Sequence, residues 1–92
     1  MTQQAPSLGR LVHYRLNEQD VAVINERRTA KGIRGNSVEV GDVFPLLVVR
    51  MWGEGPEACF NGTVFLDGPD THWATSRKLG DQPGECFWPP RV

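Results

Sequence analysis

The chain has 92 residues, 39% hydrophobic and 23% charged, with ten Lys and Arg against eleven Asp and Glu for a formal net charge of -1. That length supports one domain burying roughly 60–65% of its unfolded surface, and the near-neutral balance excludes a general nucleic-acid or membrane-surface binder. Two cysteines, Cys59 and Cys86, with no CxxC or Cys/His spacing exclude a zinc module, and no stretch approaches the length of a membrane span.

In chain order, residues 1–8 read as a disordered polar arm ahead of a single β-rich domain over 9–92. The amino terminus has neither the charged leader nor the apolar core of a signal peptide, so a cytoplasmic location is expected. Gly9 to Tyr14 (GRLVHY) alternates as a first strand. A helix follows, capped by Asn17, with Glu18 and Asp20 in its first turn and Val21 and Ile24 spaced to face a sheet. Arg27 and Arg28 fall near its C-terminus, where the helix dipole favours cations. Thr29 to Asn36 (TAKGIRGN) reads as a flexible basic loop.

The turn Val40-Gly41-Asp42 leads into Asp42 to Trp52 (DVFPLLVVRMW). Alternation places Phe44, Leu46, Val48, Arg50 and Trp52 on one face and Val43, Leu47, Val49 and Met51 on the other. Both faces are apolar. Such a strand is either central in a closed barrel or covered by a helix or a second subunit. Arg50 is the exception, and a buried arginine needs an acid or a ligand anion. Gly53 to Pro56 ends the strand. Gly62 to Asp67 forms the next, DGPD (67–70) reverses the chain, and Thr71 to Arg77 pairs back. Leu79 to Gly84 is looser, and a last strand, Glu85 to Trp88, stops at Pro89 and Pro90. These elements predict a β-dominated α+β fold: a small bent antiparallel sheet or an SH3- or OB-like barrel of about five strands with one helix.

Charge is unevenly spread. Residues 1–38 hold six Lys and Arg against three acids, a balance of +3, and residues 39–92 four against eight, a balance of -4. Arg27, Arg28, Lys31 and Arg34 put four cations within eight residues beside Gly32 and Gly35, where backbone N–H groups can approach an anion. The cluster reads equally as a solvated helix end, and it lacks the strand-loop-helix order of a Walker loop. Trp52 beside Arg50, and Trp73 on a face with Thr71 and Thr75, offer stacking for a base; Asn36 offers an amide. The same tryptophans also suit a barrel core. His13 and His72 lie in separate strands without a triad or metal spacing, so no catalytic group, metal or cofactor is implied. The two cysteines read as free thiols or as one disulfide between neighbouring strands.

GRLVHY, the INERR helix end, RGN before GDVFPLLVVRMWG, VFLDGPDTHWATS and the closing GECFWPP together resemble a group of small proteins from tailed phages and prophages, over most of the chain from Gly9 to Pro89. The resemblance implies a phage setting. Two functions fit that setting and these residues. One is non-enzymatic sequestration of a phosphorylated, nucleotide-like ligand such as an immune signal. There Arg27, Arg28 and Arg50 clamp phosphate, Trp52 or Trp73 stacks on the base, Asn36 reads a polar edge and Thr75 lines the site, within a homo-oligomer. The other is a structural or interaction protein that docks on a virion or host component through its two-faced apolar strand.

Overall fold

A computed structural model describes residues 4–90; residues 1–3 of the expected arm lie outside the described residues. The elements run β1 (Leu11–Arg15), α1 (Glu18–Lys31), β2 (Val43–Met51), β3 (Phe60–Phe65), β4 (Thr71–Arg77) and β5 (Cys86–Phe87). The strands form one antiparallel sheet in the order β4-β3-β2-β1-β5. Of the two architectures the sequence allows, the open sheet is the one formed, with β2 at its centre. Residues 4–8 carry no regular structure, yet Pro6 is buried and the Gln4 carbonyl accepts a hydrogen bond from Trp88 Nε1.

One face of the sheet is the core. Val12, Tyr14, Leu46, Val48, Phe60, Val64, Ala74 and Cys86 are all at most 1% exposed. They occupy the inward positions of the register Val12↔Leu46↔Val64↔His72 and its neighbours. Gly62 is required in this layer, because a Cβ there would meet Leu46 Cδ2 at 2.1 Å. Helix α1 closes the face with a short stripe at i, i+4 and i+8: Asp20, Ile24 and Arg28. Asn17 and Asp20 form a reciprocal capping box, and Gly32 in the left-handed region ends the helix.

Two expectations change. The stretch from Thr29 is not loop at its start, since α1 continues to Lys31 before Gly32 turns the chain. The rest of that stretch is tied down: Asn36 N donates to the Asp67 carbonyl, Gly41 N to the Leu16 carbonyl, and Val38 is buried. Second, the alternation of β2 breaks near its end. Val48 pairs with Gly62 but Arg50 pairs with Asn61, so Val49 is an extra residue in a bulge. A one-residue slip moves every later side chain to the opposite face. Met51 therefore turns inward toward the core, and Arg50 and Trp52 turn outward instead of continuing the face of Leu46 and Val48.

Candidate functional site

The basic cluster is largely spent on holding the fold. Arg28 is 8% exposed and grips Asp70 with Nε and Nη2 at 2.8 and 2.9 Å, while Nη1 donates to the Asn36 carbonyl at 2.7 Å. A Cβ on Gly35 would lie 2.6 Å from Arg28 Nη2, and one on Gly68 would lie 2.9 Å from the Gly35 Cα. The guanidinium thus occupies a slot that only glycines leave open. Hydrogen bonding to Arg28 holds the Asp70 carboxyl below the usual carboxylate range, outweighing its burial. Arg27 reaches the same carboxylate at 3.4 Å, and the Asn36 side-chain amide donates to Asp67 at 2.8 Å. The helix end, the RGN element and the DGPD turn are thereby joined.

A second polar cluster, not foreseen from the sequence, lies under the sheet. Asp20, 2% exposed, accepts from the Tyr14 hydroxyl, from the Asn17 backbone N–H at 2.9 Å and from Arg77 at 3.4 Å, and meets His72 Nε2 at 2.8 Å. Burial alone would raise the Asp20 carboxyl, but the hydrogen bonds from His72, Asn17 and Tyr14 and the Arg77 charge bring it below its ordinary value. Burial, with the neighbouring carboxylate, pushes the Tyr14 phenol well above its ordinary value, so it stays a donor. The second ring nitrogen of His72, Nδ1, is buried with no hydrogen-bond partner. Neither nitrogen is offered to an incoming molecule, so the Asp20–His72 pair locks α1 to β4 and does not resemble a working acid-base dyad. Beside it, between α1 and β4, an open cleft of about 220 Å³ is lined by Gln19, Val23, Trp73, Thr75 and Arg77 together with Asp20 and His72.

The other face of the sheet is covered by no element among the described residues. The register aligns Leu11, Leu47, Thr63 and Trp73 in one row across four strands. Phe87, His13 and Pro45 begin a second row, and Phe65 with Thr71 continues it, one step beyond the Leu46↔Val64 pair. Val43 sits beyond, opposite Arg15. Leu11 is 54% exposed, Phe65 43% and Trp73 54%. At the far end Arg50 stacks over Trp52, 4.4 Å from the ring centroid, and Trp52 Nε1 donates to Asn61 Oδ1, which also accepts the Ser76 N–H. Trp52 is 55% exposed. Neither tryptophan fills a core; Trp88 does pack against it, under Arg10.

The seven residues singled out in the sequence therefore fall into separate places. Arg27, Arg28 and Asn36 gather at the Asp67–Asp70 turn, whereas Arg50 and Trp52 gather at Asn61 and Ser76. Asp70 and Ser76 are six residues apart along β4, roughly 20 Å at the rise of a strand. The arginines do not converge on one pocket. Trp73 and Thr75 border the cleft, with Trp73 also on the open face. The open apolar row itself was readable only in part: Thr63 and Phe65, and Thr71, Trp73 and Thr75, alternate outward, but Leu11 carried no signal of exposure. Cys59 and Cys86 are free thiols. Among the described residues no cluster of three His, Cys, Asp or Glu side chains is placed to hold a metal ion, and no helix is long and apolar enough to cross a membrane. Compared with known proteins, the chain matches no family model, no curated protein and no solved structure.

Proposed function

We propose that this protein is a non-enzymatic interaction module that engages a macromolecular partner through the open face of its sheet, in the phage setting that its resemblance implies. The observation that carries this reading is the apolar surface shared by Leu11, Val43, Val49, Trp52, Phe65 and Trp73, each more than a third exposed. Together they present roughly 600 Å² of apolar area, at the upper end of what a monomer leaves uncovered. Large aromatics in such a patch are the usual anchors of protein interfaces. Sequestration of a phosphorylated ligand has weaker support, because Arg28 and Asn36 already hold Asp70 and Asp67. What favours it is the exposed Arg50–Trp52 stack, suited to a base and its phosphate.

Two variants separate the readings. Phe65→Glu puts a charge in the apolar row and leaves the arginines intact; Arg50→Ala removes the only stacked cation on Trp52. The interaction reading expects a co-purifying partner to be lost with Phe65→Glu and kept with Arg50→Ala, and no depletion of a panel of cyclic nucleotides and cyclic ADP-ribose isomers by the wild type. Depletion of one such compound, abolished by Arg50→Ala and recovered intact after heat denaturation, would replace it with sequestration.

A further inference from the structure

We propose that the occupant of the open face is a second copy of this chain, packed sheet to sheet about a two-fold axis running along β2. This rests on the reading of that face as a binding surface. β2 is the central strand, so such an axis lays the β1 and β5 side of one copy over the β3 and β4 side of the other. Sheets stacked in this way sit about 10 Å apart with their inner side chains interdigitated, giving a sandwich with a helix on each outer side.

Charge supports a copy of itself over an unlike partner. Between the ends of the face, the outward positions on β1 to β4 carry no ionic side chain: Leu11, His13, Pro45, Leu47, Thr63 and Phe65 are representative. An acidic or basic partner would find nothing there to pair with. Ionic groups occur at the rim and are self-complementary. Arg15 pairs with Val43, and the Leu46↔Val64 register carried three residues on brings Asp67 level with Val43 on the opposite side. Rotation about β2 sets Arg15 of each copy over Asp67 of the other. A charge-free apolar centre inside an ionic rim is the anatomy of a specific interface. The roughly 600 Å² of exposed apolar area, with half-buried Leu47, His13 and Phe87 beside it, approaches the ~800 Å² that each partner buries in a standard interface. A 92-residue chain that buries only one face of its sheet gains the second in the same step.

Sedimentation velocity across the micromolar range tests the proposal. The wild type sediments as a species of twice the 10.3 kDa chain mass. Phe65→Glu and Leu11→Glu, both at exposed positions, sediment as monomers with the wild-type unfolding temperature. Arg15→Asp and Asp67→Arg each weaken self-association by about tenfold or more, and the double variant regains most of it, because the swap restores both rim pairs. Arg50→Ala keeps the dimer, since Arg50 lies on the axial strand and meets only its own copy. A wild type that stays monomeric overturns the proposal. If Phe65→Glu nevertheless abolishes binding of a different protein, the open face remains the binding surface and only the identity of its occupant is wrong. A dimer indifferent to Phe65→Glu and Leu11→Glu also overturns it, placing the contact elsewhere, as along the open edge of β4.

Discussion

Replacing Arg28 with Ala removes three charge-assisted hydrogen bonds at once, two to Asp70 and one to the Asn36 carbonyl, and empties the slot between Gly35 and Gly68. Asp70, 5% exposed, is left with Arg27 at 3.4 Å as its only cation. Removing one member of a buried ion pair costs about 3–5 kcal/mol, and the remaining Arg27 sets the expectation at the low end, about 3 kcal/mol. In a domain of this size that lowers the melting temperature by roughly 12–24 °C. Urea unfolding followed by tryptophan fluorescence, with thermal unfolding followed by circular dichroism, measures both quantities. Arg28→Met with Asp70→Leu should recover most of the loss, because the destabilisation comes from an abandoned carboxylate more than from a missing attraction. A loss below about 1 kcal/mol in Arg28→Ala, accompanied by loss of binding to a phosphorylated compound, would refute the structural assignment and return Arg28 to a ligand site.

Acid should unfold the protein through the two buried carboxylates. Asp20 and Asp70 both titrate below their ordinary value in the fold. Each therefore contributes stability that is complete above the unfolded carboxylate pKa of about 4 and is lost as pH falls through the lower folded value. Urea midpoints measured from pH 6 to pH 3, by this account, drop steeply below about 4. Asp20→Asn gives a protein about 3 kcal/mol less stable at neutral pH but with a flatter acid limb, since it removes the cap and the partner of Tyr14, His72 and Arg77 together. Cys86 is fully buried and burial pushes its thiol up to about 12, whereas Cys59 is exposed. Under native conditions a thiol reagent should label one cysteine per chain, identified as Cys59 by peptide mapping, with Cys86 reacting only on unfolding.

Much of the fold was legible because its signals are local. The Asn17 cap, the DGPD reversal and the Pro89-Pro90 stop act within a few residues, and the Thr71–Arg77 strand lies where its alternation puts it. The bulge at Val49 was not legible: two successive valines give no backbone cue, and the slip that turns Arg50 and Trp52 outward follows from pairing with Asn61. The fate of the basic cluster was hidden for a similar reason. Arg28 and Asp70 are 42 residues apart in sequence, and only folding the helix against the β3–β4 turn makes them partners. His72 and Asp20 meet in the same way, across 52 residues. The apolar character of both faces of β2 was visible at once, yet which face the helix would cover depended on where Ile24 and Tyr14 came to lie.

The central claim is that the outer face of the sheet is where this protein binds. A photo-crosslinking amino acid placed at Phe65, on that face, and separately at Glu26, on the exposed side of α1, tests it under native conditions. The account predicts a covalent adduct of higher mass from position 65, composed of two copies of the chain or of the chain with one partner, and none from position 26. Adducts from position 26 alone, or equal capture at both positions, would contradict it.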